Sequence, residues 1–513
     1  MPPITRRDFL KLAALTGGAA AMGSTQKFGI ETLTQGRSLA ASPDQKGVII
    51  FVFDAMTARD LSVYGYPRAT TPNLERLAAR STVFHAHNSA GNYTTPGTAS
   101  LLTGTYPWTH RALNISGLIA RKYVNNNLFH AFGKSFHRIA YSQNIYVTYQ
   151  LDQFGEDVDE LINPEAFSVI DQVIGSNFSH DRDAAYRAFD DFLTENSEIP
   201  ASLVFGLISR LLLRRQLALY KNTDYPAGPP RTSNYSLFFQ LKDVMDGVLE
   251  HLKRTSSALP RLAYYHLWAP HGPYRPTPQF ANTFIDNYKP NTKPAHRFAN
   301  DISTSDLRTH RSHYDEYIAN VDNEFGRILD FMEKDGLLEK NYLVITSDHG
   351  EMFERGEDGH ITPLLFDPVI HSPLIISSPG QTSRTDITTA TSSVDVLPTL
   401  LSLAGQKIPD WCEGQLLPGL GGTFDAQRST FTVEAKTNPA FAPITKATVA
   451  MRKGSYKLIY YTGYEGEASF ELYDHETDLE EMNDLYPKQP AIAKTLRAEL
   501  LDTLLSVNNK IKS

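Results

Sequence analysis

A single cysteine, Cys412, stands among the 513 residues. No intramolecular disulfide can form, and cysteine usage fits any redox compartment. Positive charge is also in short supply. Lys and Arg number 49 against 57 Asp and Glu, a formal net charge of -8 at pH 7. That balance argues against a nucleic-acid partner, whose footprint is a basic surface, and leaves room only for local basic patches. The apolar run Leu12 to Met22 is too short and too rich in glycine to cross a bilayer, which takes about 20 apolar residues. Internal repeats and low-complexity tracts are missing as well.

The N-terminus carries a different signal. "TRRDFLK", Thr5 to Lys11, is followed by "LAALTGGAAAM". Paired arginines, a short weakly apolar run and small residues afterwards predict a twin-arginine export signal, with cleavage near Ser38 to Ser42. The alternative is a chance basic helix. Export would place the protein in the periplasm or outside the cell, tethered to the membrane if the signal stays uncleaved.

"GVIIFVFD", Gly47 to Asp54, is continuously apolar and β-branched, the pattern of a strand buried on both faces. "LAYYHLWA" (Leu262 to Ala269), "NYLVITSD" (Asn341 to Asp348) and "PLIISS" (Pro373 to Ser378) repeat it. Helical spacing lies between, in "TTPNLERLAARS" (Thr70 to Ser81) and over Tyr314 to Glu333. Alternation of this kind predicts an α/β/α sandwich around a mostly parallel sheet, with ligands collecting at the strands' carboxyl ends. The expected boundaries are a signal and linker over 1–46, a catalytic domain over 47–428 and a C-terminal subdomain over 429–513. Residues 118–260 read as a largely helical insertion in the catalytic domain. The last segment reads as a small antiparallel sheet with a terminal helix. Within the insertion, Ala201 to Lys221 is apolar with Arg210, Arg214 and Arg215. It reads either as a lid helix or as an interfacial helix making peripheral contact with anionic lipid.

Three separated segments converge on one chemistry. Asp54 and Asp348 each end a strand, His349 follows the second, and Thr94 opens "TTPGTASLLTG" before a helix. Two carboxylates, an imidazole and a hydroxyl suit one divalent metal ion, whether Mn, Zn, Ca or Mg. Such an ion would lower the pKa of the Thr94 hydroxyl, and the helix start would favour a tetrahedral anion beside it. His271, in the loop "APHGPY" just after a strand, is the candidate general acid. Asn92 and His360 are candidate substrate donors, against the alternatives of a turn residue and a surface histidine. His266 reads as a buried, hydrogen-bonded histidine, and His110 as a brace for the nucleophile's loop.

These segments resemble the sulfatases. "TTPGTASLLTG" is similar to the sulfatase signature, "SDHGE" to the second metal motif and "HLWAPHGPYRP" to the family's PHxPY segment. "SVDVLPTLLSLAG" and "GSYKLIYYT" with "ELYDHETD" look like late sulfatase segments. The resemblance implies the alkaline-phosphatase superfamily fold and an ester hydrolase. Three departures matter. Thr94 stands where sulfatases oxidise a Cys or Ser to formylglycine, Thr98 replaces the signature arginine, and Ala55 follows Asp54 where many members carry a second Asp. A threonine in that setting is similar to phosphodiesterases and to phosphoethanolamine and phosphoglycerol transferases of the superfamily. The resemblance therefore implies a hydrolase of phosphate or phosphonate esters, acting on a small-molecule, lipid or glycan substrate. The alternatives are a phospho-alcohol transferase on envelope glycan or lipid, a sulfuric ester hydrolase, and a degenerate fold kept for binding.

Overall fold

The computed structural model of the protein describes residues 45–167, 230–232, 238–254 and 259–512. Its central strand is β1 (Gly47–Phe53), seven buried residues in succession. Ile49, Phe51 and Phe53 enter one apolar core, whereas Val48, Ile50 and Val52 enter another. A strand can feed two cores only from the middle of a sheet covered on both faces, which is why the run has no polar alternation.

The sheet has eight strands. With β1 they are β2 (Thr82–Phe84), β3 (His137–Ser142), β4 (Glu160–Ile162), β5 (Arg261–Leu267), β6 (Asn341–Thr346), β7 (Leu374–Ser377) and β8 (Thr385–Ile387). Their spatial order is β8-β2-β7-β6-β1-β5-β3-β4. All pairings are parallel except those of β7, which runs antiparallel to both β2 and β6. One face is covered by helices Pro72–Ala78, Leu241–Arg254 and Thr304–Lys334, which share a core with Phe51. Helices Thr94–Thr103, Leu128–Phe132, Ile145–Phe154 and Val396–Leu403 cover the other. This is the α/β/α sandwich expected from the alternation of strands and helices.

The described part of the 118–260 segment includes helices Leu128–Phe132, Ile145–Phe154 and Leu241–Arg254, but the segment also supplies two strands that the helical reading did not include. Residues 137–142 and 160–162 are strands of the central sheet, not helix. β3 pairs in parallel with β5 along its whole length. Only Ile139, Ala140 and Tyr141 supply its apolar interior, between the polar ends His137, Arg138 and Ser142. Three apolar residues are too few to establish a period. The segment Ala201 to Lys221 lies outside the described residues. Among the described residues, no helix is long and apolar enough to cross a membrane.

From Ser429 the chain builds a second, antiparallel sheet of β9 (Ser429–Glu434), β10 (Ala447–Lys453), β11 (Tyr456–Thr462) and β12 (Ser469–Asp474). Leu496, Leu500 and Leu504 of helix Pro490–Lys512 pack on it together with Tyr106, Trp108 and Leu113. The Val433 N–H also donates to the Ala90 carbonyl at 2.9 Å. The small sheet is thereby attached just upstream of Thr94.

Candidate functional site

Three neighbouring strands deliver the site. β1 leads into Asp54, β6 into Asp348 and His349, and β5 carries His266 opposite Val52 in register. Thr94 is the first residue of helix Thr94–Thr103, so it belongs to the helix itself and not to the loop before it. No side chain caps that helix start, which leaves first-turn N–H groups available to an anion. Every residue of the helix is buried. Its small side chains permit this: a Cβ at Gly97 would lie 2.2 Å from the Asp348 carbonyl oxygen. The glycine is the reason the hydroxyl and the carboxylate can share one site.

Asp54, Asp348 and His349 are fully buried, and their ligand atoms lie within 4.8 Å of one another. Asp54 Oδ1 has no hydrogen-bond partner. His349 Nε2, 3.5 Å away, faces this oxygen; a buried carboxylate oxygen without a hydrogen bond is costly, and a divalent cation would satisfy it. The donor set therefore fits the ion expected from sequence. Burial by itself would raise the Asp54 pKa. The hydrogen bond from His266, the charge of His271 and the polar contact with His349 instead hold it well below the usual carboxylate range. His349 donates through Nδ1 to the Gly350 carbonyl at 2.8 Å, which turns Nε2 toward Thr94 Oγ1 at 3.4 Å. Burial opposes the His349 imidazolium, but the charges of Asp348 and Asp54 raise its pKa to about 9. A metal must therefore displace a proton from this ring.

A second ring of side chains surrounds this group. His271 donates through Nδ1 to the Gly272 carbonyl at 2.8 Å and lies against Trp268, ring centres 4.2 Å apart. Burial pulls its pKa below the usual histidine value. His360 is no surface residue: its ring lies 4.2 Å from that of His349 and 4.9 Å from that of His271. Its Nδ1 hydrogen-bonds Glu351 Oε1 at 2.8 Å, and Tyr274 donates to Glu351 Oε2 at 3.0 Å. Burial and the nearby His349 charge keep His360 neutral, with its pKa lowered to about 3, while burial pushes Glu351 up to about 7. Asn92 departs from the expected donor role. Its Nδ2 donates to the carbonyls of His360 at 2.8 Å and Thr362 at 2.9 Å, so both amide hydrogens position the His360 loop and neither is offered to substrate.

Sequence reasoning overlooked Asn144 and gave His266 a purely structural role. Asn144 Nδ2 donates to Asp54 Oδ2 at 2.6 Å and to Thr94 Oγ1 at 3.3 Å. Its signal was an N-cap asparagine just after a strand: its Oδ1 accepts the Tyr146 N–H at 3.0 Å. That signal is readable only once β3 is recognised as a strand. His266 is buried and bonded to Tyr264 as expected, through Nδ1 at 2.9 Å. Yet its Nε2 also lies 3.3 Å from Asp54 and 3.7 Å from Asp348. His110 braces the helix as read, hydrogen-bonded to Ser100 Oγ at 3.0 Å.

Asp367, His475 and Glu481 form another buried group with metal-ligand spacing. Lys457 already lies within it, 3.0 Å from Asp367 and 2.6 Å from Glu481. Burial would raise both acids, but the charges of His475 and Lys457 hold Asp367 well below its usual range, and Lys457 draws Glu481 to about 2. The Lys457 ammonium thus already occupies the position between the two carboxylates where an ion would sit.

Comparison with known proteins agrees with this geometry. The sulfatase family matches residues 46–406, and the C-terminal region of N-sulphoglucosamine sulphohydrolase matches residues 356–510. A twin-arginine translocation signal matches residues 3–23. The choline-sulfatase of Rhizobium meliloti (strain 1021) is 29% identical over 205 residues, covering 39% of this chain and 38% of that protein. The chain thus spans well under half of that relative. The ulvan-active sulfatase of Formosa agariphila is 24% identical over 481 residues, covering 92% of this chain and 83% of that protein. The crystal structure of the phosphonate monoester hydrolase of Agrobacterium radiobacter superposes with a TM-score of 0.65 at 18% identity, covering 91% of this chain and 96% of that one. At that identity the likeness shows the fold alone.

Proposed function

This chain belongs to the sulfatase family, and from that premise we propose that it is an exported, divalent-metal-dependent hydrolase of phosphate or phosphonate esters that uses Thr94 directly as its nucleophile. The observation that carries the proposal is the setting of Thr94 Oγ1, which lies 3.4 Å from His349 Nε2 and 3.3 Å from Asn144 Nδ2 at the start of a buried helix. Its chemistry differs from formylglycine catalysis. A threonine β-carbon already carries a methyl, so oxidation would give a ketone and not an aldehyde. Unmodified, it offers one hydroxyl and cannot expel sulfate with a second.

Asp54, Asp348 and His349 would hold a divalent cation, which would supply positive charge beside the Thr94 hydroxyl and lower the pKa of that alcohol. Asn144 orients Oγ1, and the N–H groups of the helix's first turn receive the anionic oxygens of the ester. Thr94 Oγ1 loses its proton to solvent and attacks phosphorus, leaving a phosphothreonine. His271 protonates the leaving oxygen. Since Nδ1 is engaged with Gly272, that proton resides on Nε2. Depression of its pKa by burial makes the imidazolium a stronger acid than free histidine. Water then attacks phosphorus and passes a proton to the now neutral His271, while the bond from phosphorus to Thr94 Oγ1 breaks and Oγ1 takes up a proton from solvent.

Matched aryl phosphate monoesters, phosphate diesters, phosphonate monoesters and sulfate esters test this, each assayed with Mn, Zn, Ca and Mg. Turnover of the phosphorus esters in preference to sulfate is expected. A sulfate ester turned over fastest would overturn the substrate class, and turnover persisting after exhaustive chelation would overturn the metal.

A further inference from the structure

Four of the ten large apolar side chains exposed among the described residues belong to loops tied around the Thr94 site: Ile115, Leu118, Ile361 and Phe441. Ile361 follows His360, whose ring lies against His349. The Ile115 carbonyl accepts the hydroxyl of Thr95, the neighbour of Thr94. Lys436 connects the two sides, donating through Nζ to the Ile361 carbonyl at 3.4 Å, while Asn114 Nδ2 donates to the Lys436 carbonyl at 2.5 Å. Leu118 is held through its neighbour: the Gln153 side chain bonds both the N–H and the carbonyl of Ile119 at 3.0 Å.

Phe441 is the most exposed of the four, at 81%, yet its loop is fixed. The guanidinium of Arg111, itself buried, donates to the carbonyls of Pro439 at 3.2 Å, Ala440 at 2.7 Å and Ala442 at 2.6 Å. Arg111 holds a left-handed backbone, φ 66°, at the end of the short helix Pro107–His110. A solvent-facing aromatic whose flanking carbonyls are gripped by a buried arginine is preorganised for a ligand. Hydrogen bonds join these loops to one another and to the neighbours of Thr94 and His349, and exposed apolar side chains carried on such loops suit an apolar ligand portion.

We propose that Ile115, Ile361 and Phe441 form a subsite for an apolar alkyl or aryl alcohol portion of the ester. The inference rests on the Thr94 reading for where the ester head sits. Lys436 is the cation beside this rim, and its charge is felt at His360. An anionic head in the Thr94 site and an apolar tail on the rim describe an amphiphilic ester. A polyhydroxylated sugar would leave its hydroxyls against Ile115, Ile361 and Phe441 without partners.

The test is a series of n-alkyl methylphosphonates from ethyl to hexyl, whose leaving groups share nearly one pKa, with a glucosyl methylphosphonate for comparison. In the wild type, kcat/KM should rise by about two- to fourfold per added methylene, the gain expected for partial to full burial of a CH₂. In Phe441→Ser and Ile361→Ser the hexyl-to-ethyl ratio should fall toward unity. Calorimetric binding of the same compounds to Thr94→Ala provides a readout independent of turnover. A flat series in both measurements, an unchanged slope in the variants, or a preference for the glucosyl ester would overturn the proposal. A chain-length dependence in binding without turnover of any ester would sustain the subsite and sink the Thr94 reading instead.

Discussion

Replacing Thr94 by Ser and by Ala separates an alcohol nucleophile from every other use of the position. Serine keeps Oγ within reach of His349 Nε2 and Asn144 Nδ2, now 3.4 and 3.3 Å away, and loses only a methyl. Thr94 is 5% exposed, so that methyl is worth about 0.8 kcal/mol of burial. Without β-branching the hydroxyl can occupy three χ1 wells, and a single productive well would lower the rate by roughly threefold. Alanine removes the oxygen. The hydrogen bonds of Oγ1 with Asn144 and His349 are lost, about 1–3 kcal/mol of stability together, while the bond of Asn144 to Asp54 survives. Turnover, in contrast, should fall by roughly 10⁴-fold or more, as for other deleted nucleophiles. The assay is rapid quench followed by mass spectrometry of the peptide containing residue 94. Wild type and Ser should carry one phosphoryl group, and Ala none. Alanine activity within tenfold of wild type would refute the mechanism. So would a carbonyl found on residue 94 of the active enzyme.

Three other outcomes are expected. Gly97→Ala places a methyl 2.2 Å from the Asp348 carbonyl; it should cost about 2–4 kcal/mol in urea unfolding and weaken metal binding, because the neighbour is backbone and cannot rotate away. Lys457→Met leaves Asp367 and Glu481 buried without their ammonium and should lower stability by about 3–5 kcal/mol; an unchanged denaturation midpoint would refute its neutralising role. The His349 pKa is raised to about 9 in the metal-free protein, so metal binding should release one proton across the neutral range and affinity should fall about tenfold for each pH unit below that value. Raised above its unfolded value, the same group stabilises the metal-free fold fully below about pH 6.5, and this contribution is lost as pH rises through about 9; calorimetry in buffers of different ionisation enthalpy reads the proton directly.

Asp54, Asp348 and His349 were legible because a strand buried on both faces announces itself by an unbroken apolar run. A polar residue at the carboxyl end of such a run has the site as its destination. Thr94 was legible for a related reason, being followed by helix-forming small residues and then Gly104, whose φ of 66° ends the helix. Asn144 was not legible. It lies just beyond β3, whose three apolar residues are framed by polar ones, and its role depends on Asp54, 90 positions away in sequence. Asn92 shows the reverse case. Its place two residues before Thr94 invited a substrate-binding role, but the fold brings the His360 and Thr362 carbonyls onto its amide.

Local order along the chain was enough to specify which strands are interior and which acids and imidazole lie at their ends, since burial on two faces imposes a composition that can be recognised without neighbours. Partnership was a matter of assembly. Whether a histidine such as His266 bonds a tyrosine alone or also faces two carboxylates depends on strand order. Adjacent strands lie about 4.8 Å apart whatever their separation in the chain, and no spacing of letters encodes which of them become adjacent.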